Sequence, residues 1–329
     1  MANIETVFMG LKLKNPLVAG SSGLTNSVKQ IQQLEKAGIG AVVLKSLFEE
    51  QIMLDSASML DVDNEQNMYP EAEDYIRNYT EMNSVSNYLQ LIQDAKQAVD
   101  IPIIASVSCM SASDWSDFAR KVESAGADAL ELNIYELPVD KNISADSYDK
   151  KYIDIVRNVK RKVRIPIAVK IGSNFSNPVR IIDQLMANGA SAVVLFNKFY
   201  TPDIDLEKLE FGSAGVMSSP NDIYPGLRWT GIVKGKLPKV QVAASTGIHN
   251  GEGVVKQLLA GAQVAQLCST LYLNGFDVVG EILSYIEAFM NKNEFNSLDD
   301  FRARMSYKNI HSPALYERTQ FMKYYSNRK

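Results

Sequence analysis

"SAGADALELNIY", residues 124–135, joins a helix end to a buried strand with a single glycine near the seam. The pattern predicts a helix stopped at Gly126 and a strand begun at once from Ala127. Three other stretches repeat it: "KAGIGAVV" (36–43), "NGASAVVL" (188–195) and "AGAQVAQL" (260–267). Each reads as the bottom of a βα unit, where a helix turns back into the sheet.

Working outward from these joins, eight β-rich runs can be marked. They are "NPLVAG" from Asn15, "IGAVVLKSL" from Ile39, "IPIIASVS" from Ile101, "ADALELNIY" from Ala127, "IPIAVKIG" from Ile165, "ASAVVLFNKF" from Ala190, "VQVAASTG" from Val240 and "AQVAQLCSTL" from Ala262. Their continuous apolar character matches parallel strands buried on both faces, not antiparallel strands with one wet face. Amphipathic stretches such as "SVKQIQQLEKAG" and "NPVRIIDQLMANG" separate them, with capping residues at their starts and Gly at their ends. Eight βα units in 329 residues predict a closed (β/α)8 TIM barrel, one α/β domain over residues 1–329. A doubly wound open sheet is the alternative, and it normally has fewer strands. Insertions at about 47–98 and 199–239 follow the second and sixth strands, so both are expected at the catalytic rim. Residues 277–329 read as the last barrel helix, a covering helix and a tail.

Composition narrows the function classes. With 46% hydrophobic residues the chain can bury a large core. A formal net charge of -4 gives no global attraction for nucleic acid or acidic lipid, so the expected partner is a small molecule. Cys109 and Cys268 have no spacing that suggests a disulfide framework or a zinc site, and no metal is expected. The start "MANIETVFMGLKLKNPLVAG" lacks a secretory pattern, and no run reaches eighteen apolar residues. A cytoplasmic, reduced protein that does not enter the membrane is the expectation.

In a barrel, functional groups project from the carboxyl ends of strands. Those ends carry Ser21, Lys45 and Ser46, Asn133, Lys170, Asn197, then "STGIHNG" and "CST". Lysine at the end of an apolar strand is costly unless paired or facing a ligand, so Lys45 and Lys170 are site candidates against the plainer reading of internal ion pairs. Asparagine amides both donate and accept, which suits the edge of a planar heterocycle, although a capped loop explains Asn133 and Asn197 as well. Gly247, Gly251 and Gly253 lie between the seventh strand and its helix, where backbone N–H groups could cradle a phosphate. Cys109 reads as a packed thiol sooner than a nucleophile, and His249 as a phosphate contact or a cap. In "ELNIYELPVD" (131–140), Glu136 follows the fourth strand and is a candidate acid or base.

This ordered set resembles the dihydroorotate dehydrogenase family from "LKNPLVAGSSG" to "CSTLY". The matches are the Lys45–Ser46 pair, the Glu131–Leu132–Asn133 motif, Val169–Lys170, Asn197, Thr246–Gly247–Ile248 for a Gly-Gly-Ile loop, and Cys268–Ser269 for a Gly-Thr pair. The resemblance implies FMN across the barrel mouth, Lys170 near its pyrimidine end, Lys45 near ring and substrate, Asn133 and Asn197 beside either, and the last two loops on phosphate. It further implies oxidation of dihydroorotate to orotate, a homodimer, and an electron acceptor supplied directly or by an electron-transfer partner. Two departures stand out. The family's catalytic Cys or Ser position falls on Glu136, and the loop that grips the substrate is matched only by Asn67 with Met68 and Tyr69. The alternatives are an FMN dehydrogenase for another small acid or ring, a flavin-free lyase using the phosphate loops, and a barrel that holds FMN without catalysis.

Overall fold

The computed structural model describes residues 2–49, 51–52, 85–109, 116–213 and 215–318. The chain opens with an antiparallel hairpin, β1 (Thr6–Phe8) and β2 (Leu11–Leu13). Its turn runs through Met9 and Gly10, both at positive φ, the backbone of a tight two-residue hairpin. Then come β3 (Leu17–Ala19), α1 (Val28–Ala37), β4 (Ala41–Val43), the two-residue β5 (Leu47–Phe48), α2 (Val85–Ala98), β6 (Ile103–Cys109) and α3 (Ser116–Ser124). The second half continues with β7 (Ala129–Ile134), α4 (Ala145–Lys160), β8 (Ile167–Ile171), α5 (Pro178–Ala187), β9 (Ala192–Leu195), β10 (Pro202–Asp205) and β11 (Glu210–Ser213). The chain then forms α6 (Ile223–Lys236), β12 (Val242–Ala244), α7 (Gly251–Ala260), β13 (Val264–Leu267), α8 (Ser269–Asn274), α9 (Val278–Lys292) and α10 (Ala314–Glu317).

The strand order β4-β3-β13-β12-β9-β8-β7-β6, closed by pairing of β6 with β4, makes a barrel of eight parallel strands. β5 resumes the direction of β4 after a break and also pairs with β6. All eight runs marked in the sequence lie in this barrel, so the open-sheet alternative is excluded. The glycine joins behave as their chemistry demands. Gly38, Gly126, Gly189 and Gly261 sit at φ of +104, +98, +111 and +120, where a side chain would be strained. Helix starts are capped by Ser27, Asn177 and Asn250, each accepting a backbone N–H two or three residues into its helix.

Side-chain alternation divides the apolar residues into two bodies. Leu130, Leu132 and Ile134 of β7 pack outward between sheet and helices, in the large core. Ala129, Ala168, Ala192 and Ala243 point inward, with Val18, Val43, Ile104, Val194 and Val264. Those inward residues are small, and the space they leave is filled by Phe8, Met9 and Leu13 from the first hairpin. The hairpin is thus a plug in the amino-terminal end of the barrel, tied by Met9 N donating to Gln241 Oε1 at 2.6 Å. Phe8 alone, 1% exposed, contributes about 1.5–3 kcal/mol by burial.

Three features differ from the sequence reading. The plug was not foreseen, because Met at a turn position carries no turn signal. In the 199–239 insertion the turn-rich chain forms the hairpin β10–β11 before α6. After α9, where a covering helix was expected, the described residues make a 3-10 turn at Leu298–Asp300 and the four-residue α10. Among the described residues no helix is long and apolar enough to cross a membrane.

Candidate active site

Above the plugged layer the same strands turn polar. Two residues beyond inward-facing Ala129, β7 carries Glu131, only 1% exposed. Two beyond Ala168, β8 carries Lys170. Two beyond Val264, β13 carries Gln266. The three side chains meet inside the barrel. Gln266 Nε2 donates to Glu131 Oε2 at 2.5 Å, Lys170 Nζ donates to Gln266 Oε1 at 3.3 Å, and Lys170 Nζ lies 3.8 Å from Glu131 Oε1. Burial of such charges is tolerated because they pair. On the neighbouring strand, Ser106 N donates to the Tyr88 hydroxyl at 2.7 Å, and that hydroxyl donates to Ser106 O at 3.0 Å. Burial pushes the Tyr88 phenol well above its usual range, with the negative charge of Glu131 adding to the effect.

Lys170 and Gln266 form the floor of a cavity of about 190 Å³. Gly20 and Ser21 from the end of β3, Asn197 and Lys198 after β9, and Cys268 and Ser269 after β13 line it. Its other end is closed by Val216, Ser218 and the turn Ser245–Thr246–Gly247–Ile248 after β12. That turn is built for close approach. Thr246 and Gly247 have φ of +73 and +77, and a Cβ on Gly247 would collide with the backbone of Ile223. Hydroxyls crowd the same end: Ser218 Oγ donates to Ser269 Oγ at 3.0 Å, accepts from Gly247 N at 3.2 Å and lies 3.2 Å from His249 Nε2. One end of the cavity therefore offers a cation and amides, and the other offers hydroxyl and backbone donors suited to an anion. Burial raises the Cys268 thiol above its ordinary range, opposed by the charge of Lys170 and a hydrogen bond with Ser22.

The remaining residues predicted from sequence fall around this cavity. Asn197 Nδ2 donates to Asn133 Oδ1 at 3.0 Å, so the two asparagines act as one unit at the strand ends. Ser46 N donates to Ser21 Oγ at 2.9 Å, and the Ser46 hydroxyl lies 2.7 Å from that of Ser106. This links the cavity to a neighbouring pocket lined by Lys45, Ser46, Asn26, Gln51 and Asn87. Burial lowers the Lys45 ammonium from its usual range. Asn67 lies outside the described residues.

Glu136 lies apart from the others. It follows Ile134, which packs outward, and its carboxylate pairs with Lys151 of α4 at 2.7 Å. Its backbone N donates to the Tyr152 hydroxyl at 3.2 Å, and it lines a separate hollow with Tyr148, Asp149 and Asn174. The residue of β7's inward parity at this level is Tyr135, whose ring packs against Phe199 at 5.0 Å between centroids with the planes tilted by 34°. Sequence reasoning passed over Gln266, Ser218 and Lys198. Of the two glutamines in "AQVAQL", Gln266 was visible as the one that shares the inward parity of Val264.

With this geometry in hand, comparison with known proteins is decisive. A family model described as "Dihydroorotate dehydrogenase" matches residues 3–290. The chain belongs to the dihydroorotate dehydrogenase family. Among its curated relatives, the dihydroorotate dehydrogenase B (NAD(+)) catalytic subunit of Thermoplasma acidophilum is 28% identical over 307 residues, covering 91% of this chain and 98% of that protein. The protein of the same name from Thermoplasma volcanium is 28% identical, covering 91% and 97%. That of Methanocaldococcus jannaschii is 23% identical, covering 88% and 94%. Fold and family together make this chain an oxidoreductase of the dihydroorotate dehydrogenase type.

Proposed function

We propose that the chain binds FMN across the barrel mouth and oxidises a small carbon acid, with dihydroorotate as the leading substrate. The observation that carries this reading is the single cavity joining Lys170 and Gln266 at one end to the Thr246–Gly247 turn, Ser218 and Ser269 at the other. The donor set fits the cofactor. A phosphate matches the hydroxyl and backbone end, and a pyrimidine-like ring edge matches the cation and amide end.

Bound FMN would supply the hydride acceptor. The chain's residues do the rest. Lys170 holds a positive charge where negative charge grows on reduction. Asn133 and Asn197, already hydrogen-bonded, orient ring edges of cofactor or substrate. Ser21 lines the cavity wall and ties Ser46 in beside it, Ile248, Cys268 and Ser269 belong to the phosphate end, and Lys45 offers a second cation beside Ser46 for the substrate. Asn67 completes the substrate set by resemblance alone. Glu136 is the candidate base on the same ground, and it can take a proton from substrate only when its pair with Lys151 opens.

The relatives' names describe them as catalytic subunits of an NAD(+)-linked enzyme, which supports an electron-transfer partner for this chain too. A homodimer in the cytoplasm is part of the same proposal. The test is an anaerobic absorption spectrum of the purified protein before and after dihydroorotate. Bleaching of a flavin band is the expected result. An intact band at full occupancy would move the substrate to another reduced acid or ring, and a colourless protein that takes up no FMN would overturn the reading.

A further inference from the structure

Glu131 is a buried carboxylate that no step above uses. It is 1% exposed, and its Oε1 accepts no hydrogen bond among the described residues. A buried carboxylate so placed is costly, and an apolar residue of similar volume would pack the layer more cheaply. Its surroundings are specific. Oε2 receives Gln266 Nε2, and this fixes the Gln266 amide with its carbonyl turned to Lys170 Nζ. Oε1 faces the same ammonium at 3.8 Å. Lys170 and Gln266 both line the cavity, whereas Glu131 does not. Glu131 therefore touches the site only through them.

We infer that Glu131 is a positioning residue that, through Gln266 and Lys170, sets the electrostatic potential at the ring end of the cofactor cavity and so the ease of cofactor reduction. The inference rests on the FMN reading above. The physical reason is the sign of the charges. A lone lysine below the ring would stabilise the reduced cofactor, which carries more negative charge than the oxidised one. A carboxylate behind that lysine offsets part of its field and holds the reduction equilibrium back. The low dielectric of a sealed barrel interior makes such a charge effective across several ångströms. The field of Glu131 also acts at the Tyr88 hydroxyl, on the other side of the layer. Gln266 holds the Lys170 ammonium on the floor of the cavity, so the partial cancellation has a fixed geometry.

The test uses FMN-loaded wild type, Glu131→Gln and Glu131→Asp, titrated anaerobically with dithionite against a dye of known potential. FMN stoichiometry is measured first from the absorption spectrum. Glu131→Gln, which removes the charge and keeps the shape, is expected to shift the reduction equilibrium about tenfold toward the reduced form, ~30 mV for a two-electron couple. Glu131→Asp keeps the charge and is expected to stay within about threefold of wild type. A merely structural role would alter stability or FMN content in both variants and leave the equilibrium unmoved. An unchanged equilibrium in fully loaded Glu131→Gln overturns the inference and leaves the FMN reading standing. Wild type that binds no FMN overturns both. If Glu131→Gln yields no folded protein, Glu131→Met removes the same charge with an apolar chain of similar length. It is expected to shift the equilibrium in the same direction, and no shift in the FMN-loaded variant overturns the inference.

Discussion

The lower and upper halves of the barrel interior are made by the same strands two residues apart, yet they do opposite things. β7 contributes Ala129 below and Glu131 above, β8 Ala168 and Lys170, β13 Val264 and Gln266, and β6 Ile104 and Ser106. The lower layer is apolar and accepts Phe8, Met9 and Leu13 from a hairpin of the same chain. The upper layer is charged, and its free face is the floor of a cavity. Height along the strand, more than the strand itself, decides whether an inward residue serves stability or chemistry.

The largest expected effect lies in the lower layer. Phe8→Ala empties the plug and should cost about 3–5 kcal/mol, read as a lowered denaturation midpoint, with FMN affinity of the folded fraction unchanged. Loss of FMN affinity at unchanged stability would break the distinction between the layers. In the upper layer, Lys170→Met leaves the Glu131 charge buried without its cation and should cost a similar ~3–5 kcal/mol. The double variant Glu131→Leu/Lys170→Met should recover most of that loss, because both charges leave together. If the double is as unstable as the single, the layer is held by shape and its charges are incidental.

At the rim the effects shrink. Glu136 and Lys151 are 22% and 35% exposed at their side chains, so Glu136→Gln should change stability by less than about 1 kcal/mol. Flavin reduction by substrate should slow at least about tenfold in the same variant if Glu136 is the base. A near-normal rate would leave the carboxylate as an anchor for the loop on α4.

Much of this was legible from sequence, for identifiable reasons. Parallel strands buried on both faces and helices ended by glycine are local patterns, and all eight strands followed from them. Lys170, Asn133 and Asn197 could be found because polar residues at apolar strand ends are rare. The plug was hidden because its fit depends on five alanines scattered from residue 41 to residue 243, a long-range relation. The orientation of Glu136 was hidden for a different reason. Alternation past Ile134 indicates an outward side chain, but loop residues are not bound by strand parity, and the pair with Lys151 on α4 holds the carboxylate there.

The central claim, that the cavity seats a phosphate at the Thr246–Gly247 end and a ring over Lys170, is tested most directly by calorimetric titration of flavin-stripped protein with FMN and with riboflavin. FMN is expected to bind with one site per chain. Riboflavin, which lacks the phosphate, is expected to bind about a hundredfold more weakly, the loss of one or two charge-assisted hydrogen bonds. Equal affinity for the two, or no binding of either, would contradict it.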